Sequence, residues 1–499
     1  MTKEEIVLDY INVCNLVNYG DCVSRSVYRK YGTFKTSLIE KIYGTWTNFI
    51  NEVNHNFVTG RGDKEIFHVT SNNKIVITSV YDGYDINEDC LNTLINYCNV
   101  NDAELYILWV KSNNNKTLSL DVYNKLQAHL VTELSCFKQS NILIKDLNIP
   151  LSCKNPLSNL ERLQNKYETI IIPSPKQYMK VLPYDSVNEL VAKTAWSTGT
   201  ISNITYKNTV SGTIDKLNHT FGALLLEYNT GYVPRYVVRN LIYKDDYIYD
   251  LNDRYSVNSF DSNLSVSSIV LGDLHFPEHS MFALKKSIDL INKCDAESVI
   301  LHDWCSFNSI NHHEEYKYLT KVQYNAPTLQ DELEESGNLL KNELINKCPN
   351  STFYLVHSNH DDFIKKWLDN GDFIKDKYNA MLGCKMFINY VENKCPFFDY
   401  VNHDRLIILN DGDNFSLNGV TLSNHGHSGI SGSRGNVKSY NKTYMKSVIG
   451  HTHSPQIYEN TCVVGTNSKI NLNYTSKLSN WAIANAIVHK NGTIQLIMF

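Results

Sequence analysis

Five short polar clusters, each following an apolar run, carry residue types that bind and use metal ions. Ile269-Val270-Leu271 leads into Gly272-Asp273-Leu274-His275, and Ser298-Val299-Ile300-Leu301 into His302-Asp303. Phe353-Tyr354-Leu355-Val356 precedes Ser358-Asn359-His360-Asp361, Val420-Thr421-Leu422 precedes His425-Gly426-His427, and Ser447-Val448-Ile449 precedes Gly450-His451-Thr452-His453. An apolar run that ends in ligand-type side chains is what a buried strand looks like when it delivers them at its carboxyl edge. A single Asp-x-His arises often by chance, but five such clusters in series point to a dinuclear metal site. Carboxylate, imidazole and amide-oxygen donors together suit borderline-to-hard divalent ions rather than thiolate chemistry.

The order Asp-x-His, His-Asp, Ser-Asn-His-Asp, His and Gly-His-x-His resembles that of the calcineurin-like metallophosphoesterases, over roughly residues 263–499. The resemblance implies an α/β fold, the four-layer α/β/β/α sandwich, with two divalent ions. By motif position Asp273, His275, Asp303 and His453 would hold one ion, and Asp303, Asn359, His425 and His451 the other, with Asp303 bridging. Mn²⁺ is the expected metal, with Mg²⁺, Fe²⁺ and Zn²⁺ as alternatives. Two such ions about 3.5–4 Å apart share a hydroxide that attacks phosphorus in line. His360 is the family's candidate to protonate the leaving oxygen, and Asp361 is the residue expected to orient it. Three departures touch no ligand: His302 and Ser358 replace glycines, and Ser306 replaces a supporting Asp. His302, His312, His313 and His427 receive no role.

These clusters sit in a chain of 499 residues with 42% hydrophobic content and a net charge of −5. That length suggests two to four domains, and that charge excludes a uniformly basic nucleic-acid coat, so nucleic-acid contacts must come from local patches. Twelve scattered cysteines with no Cys-x-x-Cys read as small core residues of a reducing compartment. An acidic N-terminus and the lack of a membrane-length apolar run predict a cytoplasmic protein without membrane contact, in the host cytoplasm if a phage encodes it.

Residues 1–58 read as a helical unit, with helices near Ile6–Leu16, Ser24–Tyr31, Thr36–Tyr43 and from Trp46, punctuated by Gly32 and Gly44. Its basic residues Arg25, Arg29, Lys30 and Lys35, with Tyr28-Arg29-Lys30-Tyr31-Gly32 and Ile42-Tyr43-Gly44-Thr45-Trp46, resemble the DNA-binding repeat associated with homing endonucleases. A packing module with solvated charges is the plainer alternative, and Arg61-Gly62-Asp63 reads as a linker turn. Residues 64–175 alternate strands (74–79, 105–110, 142–144, 169–172) with helices (87–98, 126–134), as an α/β accessory domain does. Residues 176–262 form a β-rich segment with Asn229-Thr230-Gly231 as a hairpin turn. The catalytic domain is expected over 263–499. In it, His279–Lys293 should form a helix burying Phe282, Leu284, Ile288 and Ile291. Leu329–Ile345 should form another, whose acids Asp331, Glu332, Glu334 and Glu335 make a solvated face.

Ile77-Thr78-Ser79, Asn101-Asp102-Ala103-Glu104-Leu105, Asn218-His219-Thr220-Phe221-Gly222-Ala223 and Ser433-Arg434-Gly435 resemble a phage family built on this phosphoesterase domain. Its best-known members are the early deoxyribonucleases of T5-like phages, which take part in host DNA breakdown. Between His427 and Glu459 there is no acidic residue, while Arg434, Lys438, Lys442 and Lys446 recur every fourth position. A patch of that kind beside the metals suits a phosphodiester backbone. The expected activity is a metal-dependent deoxyribonuclease using SbcD-type chemistry, with DNA as partner and a homo-oligomer as a candidate assembly. A phosphatase or small-molecule phosphodiesterase on the same site, and an inactive DNA-binding scaffold, are the alternatives.

Overall fold

The computed structural model describes residues 25–53, 66–68, 73–111, 118–131, 133–136, 141–164, 166–186, 191–228, 236–310, 327–470 and 478–499, with positions 6, 9, 10 and 13 of the first helix. The Arg61–Asp63 and Asn229–Gly231 turns, His312 and His313 lie outside the described residues. The chain is of mixed α/β class, with sheets of eleven, eight, six and two strands among the described residues. Among the described residues no helix is long and apolar enough to cross a membrane.

Strands Leu406–Ile408, Thr352–Leu355, Ser298–Leu301 and Ser268–Val270 run parallel in that order, and the antiparallel pair Ala484–Val488 and Ile494–Met498 completes a six-stranded sheet. Its parallel strands are continuous apolar runs because both faces are covered. Ile269, Val299, Leu301, Phe353 and Leu355 pack on one face against helices Met281–Lys293, Leu329–Asn338 and Asp361–Asp369. Val270 and Ile300 alternate to the other face, where they meet Val420, Leu422, Val448, Cys462 and Val464. Two-residue periodicity thus divides each short strand between two cores.

Two sequence expectations fail here. Phe282 is 48% exposed, because the helix Met281–Lys293 turns Ala283, Leu284, Ser287, Leu290 and Ile291 inward. Glu332 is 4% exposed rather than solvated. It lies on the inner stripe of its helix with Leu329, Leu333 and Ser336, and its carboxylate accepts from the N–H groups of Asn308 (2.8 Å) and Ser309 (3.1 Å). Burial pushes that carboxyl up to about 7.

The middle segments 64–175 and 176–262 each feed both large sheets. Lys74–Tyr81 and Glu104–Val110 pair alongside Gly222–Tyr228 and Tyr236–Lys244 in the eight-stranded sheet. Ile142–Lys145, Thr169–Ile172, Thr194–Ser197 and Met179–Val181 enter the eleven-stranded sheet. That sheet continues without a break into Gln456–Tyr458, Thr461–Val463 and Ser447–Ile449, because Met179 and Lys180 pair antiparallel with Ile457 and Gln456. The helix expected over 126–134 is not formed: a helix ends at Leu126, and Leu130–Val131 pairs with Ile107 and Leu108. Strand pairing across the sheet overrides local helical pattern there.

The eight- and six-stranded sheets adjoin at Asn240, which is 2% exposed. Its side chain donates to Ile494 O (2.8 Å) and accepts from Leu496 N–H (3.1 Å), and its own carbonyl accepts from Gln495 Nε2 (3.1 Å). At the N-terminus, helices Arg25–Tyr31, Thr36–Tyr43 and Trp46–Val53 enclose an aromatic core of Tyr10, Tyr28, Tyr43 and Phe49. Gly44 ends its helix at φ 84°, a conformation that strains a residue carrying a Cβ. Replacing Asn240 with Leu strands a buried carbonyl and a buried N–H at the seam. The expected cost is about 2–4 kcal/mol, read as a lowered thermal midpoint with the secondary-structure signal retained.

Candidate metal centre

Each ligand-type side chain leaves the carboxyl end of a strand through a sharp turn. His275, Asp303, His451 and His453 have φ of 50°, 40°, 72° and 56°, in the left-handed region that side-chain-bearing residues rarely occupy. Four such residues at one locus mark a site whose geometry the surrounding packing imposes. Gly450 is part of that packing: a Cβ there would stand 2.3 Å from Asp273 Oδ1. Gly272 N–H donates to Asn485 Oδ1 (2.9 Å), and the Asp273 carbonyl accepts from Asn467 N–H (2.7 Å) and Thr466 Oγ1 (3.1 Å). This support from 465–468 and 485 went unread in the sequence, although Gly465-Thr466-Asn467-Ser468 is again a polar run after an apolar strand.

The convergence is tight. His453 Nε2 lies 2.9 Å from Asp273 Oδ2 and 2.9 Å from His275 Nε2, and His275 Nε2 lies 3.7 Å from Asp303 Oδ2. His425 Nε2 is 3.0 Å from that same Asp303 oxygen. Asn359 Oδ1 meets His425 Nε2 at 3.1 Å and His451 Nδ1 at 3.0 Å. Asp273, His275, Asp303 and His453 form one group that could hold a metal ion, and Asp303, His425 and His451 a second. Asp273 Oδ1 and Asp303 Oδ1 are buried without any hydrogen-bond partner. Unshared carboxylate oxygens beside facing imidazole nitrogens fit a cation, since buried polar atoms otherwise find partners. All seven residues predicted as ligands are therefore gathered in one place.

Burial works against charge on every group, and the neighbours decide the outcome. It raises the Asp273 carboxyl, yet His425 and His453 hold it down at about 2. Burial likewise opposes ionisation of Asp303, but His425 and His360 keep it well below the usual carboxylate range. His425 is lowered by burial and raised more by Asp303 and Asp273, to about 9. Burial leaves His275 at about 3 and His451 at about 4. The two carboxylates thus favour the charged form of His425, while burial favours the neutral forms of His275 and His451.

His360 stands beside this centre, its ring 4.8 Å from that of His275. Its orienting partner is the Ser306 carbonyl, which accepts from Nδ1 at 2.9 Å. Asp361, expected in that role, instead turns back at the start of its helix and accepts from Ser358 N–H (2.9 Å) and Oγ (3.2 Å). Burial pushes its carboxyl up to about 6. The loop carrying Ser306 is held by Glu332 through Asn308 and Ser309. His302 is fully buried with neither ring nitrogen partnered, and His427 lies 4.0 Å from Asp362, which also meets His357 at 3.1 Å.

The expected basic stripe is interrupted. Lys438 and Lys442 project from the short helix Val437–Thr443, which seats Tyr440 against Ile449 and Val463. Arg434 is exposed in the preceding turn, bridged to Ser428. Lys446 leaves the stripe, because its Nζ donates to Gly492 O at 2.8 Å. In the N-terminal unit Arg25 pairs with Glu40 at 2.5 Å and Lys30 lies over the Tyr31 ring, while Arg29 and Lys35 are exposed.

The chain is 27% identical over 336 residues to Protein A1 of Escherichia phage T5, an alignment covering 62% of this chain. It spans 59% of that protein's length. No family model matches the chain.

Two outcomes follow for metal uptake. His425 must release its proton to become a ligand, so uptake should liberate close to one proton. Apparent affinity should then rise roughly tenfold per pH unit below about 9 and level off above it. Calorimetry in buffers of differing ionisation enthalpy measures both. Gly450→Ala should lower metal affinity at least tenfold in the same assay, since Asp273 must move.

Proposed function

We propose that the chain is a metal-dependent deoxyribonuclease of the calcineurin-like metallophosphoesterase type, and that it belongs to a phage. The observation that carries this reading is the overlap of two buried ligand groups on Asp303. On this reading two divalent ions, Mn²⁺ foremost, occupy the two groups, with Asn359 joining the second. The facing six- and eleven-stranded sheets with their outer helices are then the α/β/β/α sandwich, 263–499 is the catalytic domain, and 1–58 is an accessory DNA-contacting unit. The likeness to a T5 phage protein supports the phage assignment.

When bound, the ions supply Lewis acidity and a nucleophile drawn from water. The protein's own part is distributed among named groups. Asp303 keeps the two ligand groups in register, and the left-handed turns at His275, Asp303, His451 and His453 fix their side chains before substrate arrives. With Nδ1–H given to the Ser306 carbonyl, His360 presents Nε2 as the atom that carries a proton to the leaving oxygen. Arg434, Lys438 and Lys442 lie on the segment joining the His425 and His451 loops, so exposed positive charge flanks the centre. That arrangement favours a polyanionic backbone over a small phosphomonoester.

Supercoiled plasmid and linear duplex, each with Mn²⁺, Mg²⁺ or EDTA, test the reading. Cleavage should need metal, fall at least a thousandfold in Asp303→Asn, and fall about 10²–10⁴-fold in His360→Ala. Hydrolysis of bis-p-nitrophenyl phosphate with both DNAs left intact would instead favour the small-substrate phosphodiesterase. Metal binding with no hydrolysis of any of these would leave a DNA-binding scaffold.

A further inference from the structure

Lys446, turned away from the metal loops, lines a cavity of about 260 Å³ between the eight- and eleven-stranded sheets. It sits at the opposite end of the strand Ser447–Ile449 from His451, roughly 15 Å away at about 3.3 Å per residue. This space is therefore distinct from the metal centre.

Two side chains on its wall hold polar atoms that nothing in the protein satisfies. Gln177 is 5% exposed; its Nε2 donates to Ala223 O (2.9 Å) and Thr198 O (3.3 Å), while its Oε1 is buried without a partner. His219 Nδ1 is paired with the Tyr206 hydroxyl at 2.8 Å, and its Nε2 is likewise buried and unpartnered. The tautomer decides whether Nε2 is left open as a donor or as an acceptor. A buried amide oxygen and a buried ring nitrogen left open on one cavity wall call for polar groups of a ligand or water.

Two ammonium groups join them. Lys446 Nζ donates to Gly492 O (2.8 Å) and Lys244 Nζ to Asn491 O (2.6 Å), leaving each with further N–H bonds to offer. Burial and the neighbouring Lys244 lower Lys446 to about 8, the condition of a cation short of counter-charge. Glu459 on the wall is engaged by Tyr178 and Asn441, and Asp245 lies 3.6 Å from Lys244. The remaining wall includes Phe221, edge-on to His219 with centroids 4.5 Å apart, and Tyr243 and Ile457.

We propose that this cavity binds a nucleoside monophosphate: its phosphate meets Lys446 and Lys244, its base lies along the apolar wall, and the base edge or sugar hydroxyls reach Gln177 and His219. Such a ligand is the product class of the nuclease proposed above, but the assignment stands on the cavity's own groups.

Isothermal titration of the 499-residue chain in EDTA keeps the metal centre from contributing. The probes are dAMP, dTMP, deoxyadenosine and inorganic phosphate. Binding of a monophosphate at one site per chain is expected, with the same affinity in Asp303→Asn and at least tenfold weaker in Lys446→Met. Lys244→Met, whose side chain is 44% exposed, gives an independent loss should the Lys446 variant fail to fold. No binding of either monophosphate at millimolar concentration, or undiminished binding in both lysine variants, would overturn the proposal. Inorganic phosphate binding as tightly as the monophosphates would overturn its nucleoside part. None of these results depends on whether the chain cleaves DNA.

Discussion

Two carboxylates withdrawn from water within a few ångströms of each other must have their charge settled locally, and the architecture around Asp273 and Asp303 is arranged to do so. Both are 2% exposed or less, and their free oxygens point where no protein donor stands. An isolated buried charge is too costly to persist. Here the His425 imidazole, raised by Asp303 and Asp273, can supply one compensating charge, and a divalent cation would supply more. The strands end where they do, Gly450 lacks a side chain, and four residues accept left-handed backbone so that these oxygens and the imidazoles can face inward together. Local strain is the cost of that convergence, and the packed sheets supply it.

What the amino-acid sequence makes legible follows from how locally each feature is determined. Ligand clusters at strand ends are local: an apolar run, a turn, and a side chain of the right kind. The placement of Asp273, His275, Asp303, Asn359, His425, His451 and His453 at strand ends was readable in this way, as were the helices Arg25–Tyr31 and Thr36–Tyr43. Features that depend on a distant partner were not. Glu332 looks like one acid among four until the loop at Asn308 arrives to use it, and Asp361 looks like a partner of its neighbour His360 until its helix turns it toward Ser358. Lys446 fits a four-residue spacing, but the helix that would keep the rhythm ends at Thr443. The strand Leu130–Val131 exists because Ile107 and Leu108 are there to receive it.

The middle of the chain belongs to the same physical argument. Residues 64–262 do not stand as successive beads, since successive blocks of their strands enter now one and now the other of two large sheets that share a common core. That core reaches from Ile75 and Trp196 through Val448 to Val488, so the rigidity that holds the ligand loops is drawn from the whole width of the stacked sheets. Asn240 ties the adjoining sheets with directed hydrogen bonds where apolar contact alone would allow sliding.

The unbroken eleven-stranded sheet leaves the strand Gln456–Tyr458 with no open edge, since it is paired on both sides. Met179–Val181 completes the hydrogen-bonding edge of Gln456–Tyr458, so the amino-terminal half acts as a permanent cover for an edge that would otherwise solicit strands from other molecules. A chain cut back to residues 263–499 would keep that strand yet release its edge, opening it to pairing with a second copy.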